Sequence, residues 1–74
     1  MNYAIVIEKG ENNYSAYVPD LPGCIVTGKT IDEIRQLMRE GIELHIEGMQ
    51  RDGESVPAPT AVCEYIEVPI PQPK

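Results

Sequence analysis

Residues 34–49 place the tightest limit on how this chain can fold. Ile34, Leu37, Met38, Ile42, His45, Ile46 and Met49 recur at intervals of three and four, with Arg35, Arg39, Glu40, Glu43 and Glu47 between them. At that spacing the apolar side chains fall on one side of an α-helix and the charges on the other. The pattern predicts one amphipathic helix of about five to six turns. A single apolar stripe has to be covered by a second layer, so the remaining segments must furnish a sheet.

Both ends of that helix are written in the sequence. Thr30-x-x-Glu33 is a capping box, in which hydroxyl and carboxylate satisfy amide donors that the first turn leaves unpaired. Asp32 and Glu33 also sit at the positive end of the helix dipole. The helix should stop near Asp52-Gly53, because glycine accepts the left-handed conformation of a helix end, and Pro57 and Pro59 lie just beyond. Gly41 and Gly48 fall on nearly the same side, where each costs about 1 kcal/mol of helix propensity relative to alanine. Close approach of the helix to the sheet is the expected compensation.

Before the helix, Tyr3-Ala4-Ile5-Val6-Ile7-Glu8 is β-branched and apolar in both alternating sets, the pattern of a strand covered on both faces. Lys9–Asn13 is rich in turn formers and Tyr14–Val18 resumes an extended pattern, which predicts an antiparallel hairpin. Pro19 and Pro22 fix two φ angles and remove two amide donors, and Gly23 adds a permissive position, so Pro19–Gly23 reads as a rigid bend. A third strand is expected over Cys24–Thr27. After the helix, Pro57–Thr60 reads as an extended connector, Ala61–Val68 as a last strand, and Pro69, Pro71 and Pro73 as a polyproline-like tail. The expected fold class is α+β: a two-layer β-β-β-α-β sandwich, an antiparallel sheet with one long helix. One helix covers one sheet face, so the other is expected to pack on a second subunit or a partner protein.

Composition removes several classes of function. A chain of 74 residues buries only about 60% of its unfolded surface and has little room for a deep enzymatic cleft. Twelve acidic against six basic residues give a net charge of −6, the wrong sign for binding a phosphate backbone and the right one for a basic protein. The longest apolar run, Ala4–Ile7, falls far short of a bilayer span, and no basic-then-apolar leader precedes it, so a cytoplasmic location is expected. Cys24 and Cys63 are too few for a disulfide framework. With His45 they lack the short ligand spacing of zinc sites, and no metal or other cofactor is expected.

The candidate residues divide between structure and recognition. Thr30, Glu33, Gly41, Gly53 and Pro57 read as structural. The bend Asp20-Leu21-Pro22-Gly23, with Tyr17 beside it, reads as a rigid turn that also offers a surface to a partner. His45 reads as a packing histidine, with no nucleophile near it, and Glu40, Glu43 and Glu47 as a solvated acidic face. Asp20, Asp32 and Glu33 invite comparison with the metal-binding carboxylates of a nuclease, but the latter two are already explained as helix-start residues.

In sequence order, the tyrosine-rich hairpin, Val18-Pro19-Asp20-Leu21-Pro22-Gly23-Cys24, Gly28-x-Thr30-x-x-Glu33, Ile42-Glu43-Leu44-His45-Ile46 and Gly53-Glu54-x-Val56-Pro57-x-Pro59 cover nearly the whole chain. Together they resemble the HicB-like antitoxin family. The resemblance implies a fold like a truncated ribonuclease H domain over residues 1–68, with 69–74 as a Pro-rich tail. It implies a non-enzymatic protein that neutralises an mRNA-cleaving toxin by direct binding. That toxin would be small and basic, with a double-stranded-RNA-binding-like fold, and would itself carry the catalytic histidine. Many family members continue into a helix-turn-helix or ribbon-helix-helix segment, which this sequence lacks, so direct DNA binding by this chain is not expected. Gly41 stands where relatives are expected to carry alanine. A homo-oligomer, dimer or tetramer, is expected. The alternative is an orphan oligomeric scaffold or regulatory module of the same fold, without a toxin.

Overall fold

A computed structural model describes residues 1–72; Pro73 and Lys74, the end of the predicted tail, lie outside the described residues. Three strands, β1 (Val6–Lys9), β2 (Tyr14–Tyr17) and β3 (Ile25–Gly28), precede one helix, α1 (Ile31–Arg51). The strands form one antiparallel sheet in the order β1-β2-β3. Val6 pairs with Tyr17 and Tyr17 with Ile25. The α+β class and the antiparallel start therefore hold.

The helix ends follow the sequence signals with one refinement. Thr30 is the N-cap, its hydroxyl accepting the Glu33 amide at 3.1 Å, while the Glu33 carboxylate accepts the Lys29 amide at 3.0 Å. The return bond of the capping box thus reaches one residue further back than the usual geometry. At the other end the Glu54 amide donates to the Met49 carbonyl at 2.8 Å across Gly53, whose φ of +73° only glycine adopts without strain.

The first strand is shorter than its apolar run. Continuing the register backwards from Val6 opposite Tyr17 sets Ala4 opposite Pro19, which has no amide to give. Tyr3 and Ile5 still pack on the core. That core is small: Ala16, Val18, Leu21, Cys24, Ile34 and Met38 are its buried residues, drawn from β2, the bend and α1.

Two expectations need correction. The returning strand over Ala61–Val68 does not form, so the fold is β-β-β-α followed by an extended segment. A strand exists through its ladder partner, and 57–61 is instead fastened across the end of the sheet while 62–70 is exposed. Nor does the sheet press against both helix glycines. A Cβ on Gly41 would meet Val26 Cγ1 at an ordinary 3.5 Å, and one on Gly48 would meet nothing within 4 Å.

Candidate protein-docking surface

The bend between β2 and β3 is built from its own backbone. The Val18 amide donates to the Cys24 carbonyl at 3.2 Å, the Leu21 amide to the Val18 carbonyl at 3.1 Å, and the Cys24 amide to the Leu21 carbonyl at 3.1 Å. Pro19 and Pro22 stiffen the loop further, and Gly23 takes φ +87°. This closed loop drives Leu21 into the core, where it is fully buried.

Asp20 faces the other way, onto the segment that follows the helix. Its carboxylate accepts the Thr60 amide at 3.0 Å, the Thr60 hydroxyl at 2.8 Å and the Ala61 amide at 3.1 Å. The Ala61 amide foremost, then the Thr60 hydroxyl and amide, hold the carboxyl below its usual range. A second tie lies alongside, the Tyr3 hydroxyl donating to the Pro57 carbonyl. Nothing in the local sequence around Thr60 or Pro57 announces these partners, since they lie 40 and 54 residues away.

The residues expected to meet a partner therefore separate. Leu21 is internal and Asp20 is occupied by the chain itself. Pro22 and Gly23 are exposed at the tip of the bend, and Tyr17 is 41% exposed on the sheet face turned away from the helix. The register sets Val6, Tyr17 and Ile25 side by side on that face, and Ile25 is 65% exposed. Ile25 was missed by sequence reasoning, although its place one residue after the buried Cys24 assigns it to the outer face by strand alternation.

The groups weighed for catalysis or metal binding do not converge. Asp32 pairs with Arg35 at 3.8 Å, Glu33 holds the helix start and Asp20 holds Thr60. Among the described residues no group of three His, Cys, Asp or Glu side chains is placed to hold a metal. Cys24 is buried against Met38, and burial pushes its thiol pKa up, whereas Cys63 is exposed. His45 is half-buried beside Leu44, Gly48 and Met49 in a shallow depression. No helix among the described residues is long and apolar enough to cross a membrane.

A family model described as the HicB-like antitoxin of bacterial toxin–antitoxin systems matches residues 3–71. The chain belongs to the HicB-like antitoxin family. This HicB-like chain is 42% identical over 69 residues to a 14.9 kDa protein from the rep-hol intergenic region of Haemophilus phage HP1, covering 93% of the chain and 52% of the phage protein. It thus spans about half the length of that relative. It is also 44% identical to a UPF0150 protein of Archaeoglobus fulgidus, over 76% of the chain and 86% of the archaeal protein. Among solved structures it matches a chain of a HicA3 and HicB3 toxin–antitoxin complex with a TM-score of 0.70 and 32% identity, covering 81% of this chain and 70% of that one.

Proposed function

We propose that this HicB-like chain is the antitoxin of a HicA/HicB-type pair and neutralises an mRNA-cleaving toxin by direct protein–protein contact, without catalysis of its own. The observation that carries the reading is the open sheet face, an exposed Tyr17–Ile25 pair beside a rigid bend, on a fold similar to a protein solved in a toxin–antitoxin complex. An aromatic and an aliphatic side chain held on a pre-formed sheet lose little entropy on binding and suit the centre of an interface. Pro22 and Gly23 would contact the toxin at its margin, with Leu21 anchoring the bend in the core and Asp20 holding the segment after the helix against it. The net charge of −6 supports a basic toxin and a fast, salt-sensitive encounter. Residues 1–68 would act as the antitoxin domain, in the cytoplasm.

The test is to purify the small protein encoded beside this one and follow its cleavage of mRNA with and without the chain. Stoichiometric inhibition that weakens with Ile25→Glu, while the variant keeps its helical circular dichroism, supports the reading. Cleavage that continues unchanged in the presence of excess wild-type chain overturns it and leaves the orphan module.

A further inference from the structure

The segment from Val62 onward carries an unusual load of exposed apolar surface: Val62 80%, Tyr65 99%, Ile66 79%, Val68 62% and Ile70 77%. A 21-residue helix is only about 32 Å long, yet the molecule extends 59 Å, and its radius of gyration of 15.5 Å exceeds the roughly 11 Å of a compact chain of this length. The excess is this arm. Its alternating and β-branched residues have strand character and no ladder, so its backbone donors and its side chains both face water.

The same chain displays a site of matching chemistry. An open groove of about 510 Å³ runs between residues 1–5 and α1, lined by Tyr3, Ile5, Ile42 and Ile46 together with Arg39 and Glu43. Arg35 lines it too, tied only to Asp32 through an exposed 3.8 Å pair. The arm alternates its apolar residues with Glu64 and Glu67 and carries no basic residue between 61 and 72. The arm's apolar residues therefore match the apolar wall, and its two glutamates match Arg35 and Arg39, two basic residues against the one acidic Glu43.

The arm does not reach its own groove. It leaves the body where Cys63 lies 4.0 Å from the Ile5 carbonyl, already at the wall of that groove. No residue of 62–70 lines that groove, and Glu64-Tyr65-Ile66-Glu67-Val68 contains none of the usual turn residues that would fold the arm back into it. Extended, residues 62–70 reach about 30 Å, enough to cross to a neighbour.

We infer that residues 62–70 are an exchanged arm, docking into the groove between residues 1–5 and α1 of a second copy of this chain. Each copy gives one arm and receives one, which closes a two-fold dimer and leaves the open face of each sheet free. The strand-like pattern of 61–68 is then satisfied between molecules. The inference does not depend on the existence of a toxin.

Sedimentation equilibrium of the full chain tests it. The wild type is expected to dimerise, and Tyr65→Ser with Ile66→Glu, both on exposed side chains, should raise the dissociation constant by at least about tenfold with unchanged helical circular dichroism. Reversing the charges of the arm (Glu64→Arg, Glu67→Arg) or of the groove (Arg35→Glu, Arg39→Glu) should weaken the dimer, and combining the two should restore it. A wild type that stays monomeric, arm variants that dimerise as well as the wild type, a combined reversal without recovery, or an arm whose amides gain exchange protection only when a toxin is added would each overturn the exchanged arm.

Discussion

Asp20 and Thr60, 40 residues apart, are joined by two hydrogen bonds, the Thr60 amide at 3.0 Å and its hydroxyl at 2.8 Å. With the Ala61 amide as a third donor, one carboxylate holds residues 60 and 61 against the bend, immediately before the exposed segment. Asp20, read from the sequence as part of a rigid turn that offers a surface to a partner, thus also fastens the chain to itself.

That fastener is pH-dependent. The three donors lower the Asp20 pKa in the folded state, so their contribution is fully present above the ordinary aspartate pKa of about 3.9. It is lost as pH falls through the lowered value. Amide exchange at Thr60 and Ala61 should be slow at neutral pH and accelerate below about pH 4 relative to the core amides. Asp20→Asn, which keeps one acceptor oxygen and loses the charge, should show fast exchange at both positions across the whole range.

The helix glycines should be improvable. Gly48→Ala meets no atom within 4 Å and Gly41→Ala meets Val26 at 3.5 Å, so each should stabilise the fold by about 1 kcal/mol through helix propensity. For a domain of this size that corresponds to a rise in Tm of about 4–8 °C. Gly28→Ala should do the reverse, since its Cβ would sit 2.9 Å from the Glu33 carboxylate and 3.3 Å from Ile34. Thermal melts of the three variants check the contrast.

Leu21 and Pro22 are neighbours with opposite expectations. Leu21→Ala empties a fully buried position and should cost about 2–5 kcal/mol, enough to unfold much of a population whose core has six buried residues. Pro22→Ala, on an exposed residue, should leave the melting curve nearly in place. Urea denaturation of the two proteins side by side gives the comparison.

The two thiols should differ sharply in reactivity. Cys63 is exposed, whereas Cys24 is buried with a raised pKa, and the thiolate is the reactive form. Native alkylation followed by mass spectrometry should give a single adduct at Cys63, with a second at Cys24 only after unfolding.

The helix was legible because its information is local: a seven-residue apolar stripe, a Thr30–Glu33 cap and a Gly53 stop each act within a few positions. The hairpin was legible for the same reason. Leu21 was not, because Asp-Leu-Pro-Gly has the composition of an exposed loop, and only the closing bonds from Val18 to Cys24 turn its leucine inward. The strand predicted over 61–68 failed at a different step. Its residues favour an extended backbone, but pairing is decided by whichever edge lies alongside, and Asp20 and Tyr3 hold 57–61 across the strand ends instead. The family was readable from five motifs in order, whereas the outer row of Val6, Tyr17 and Ile25 depends on register and became visible only with the sheet assembled.

Among the described residues every regular element lies before residue 52, which has a temporal consequence. Hairpin, third strand and helix are linked by contacts between near neighbours in sequence and can assemble quickly, whereas the Thr60 fastening closes a 40-residue loop at a larger entropic cost. During synthesis the body is complete in sequence before the arm is made. The apolar residues at 62–70 are therefore offered later than the sheet and helix, to a scaffold whose own sequence is already complete.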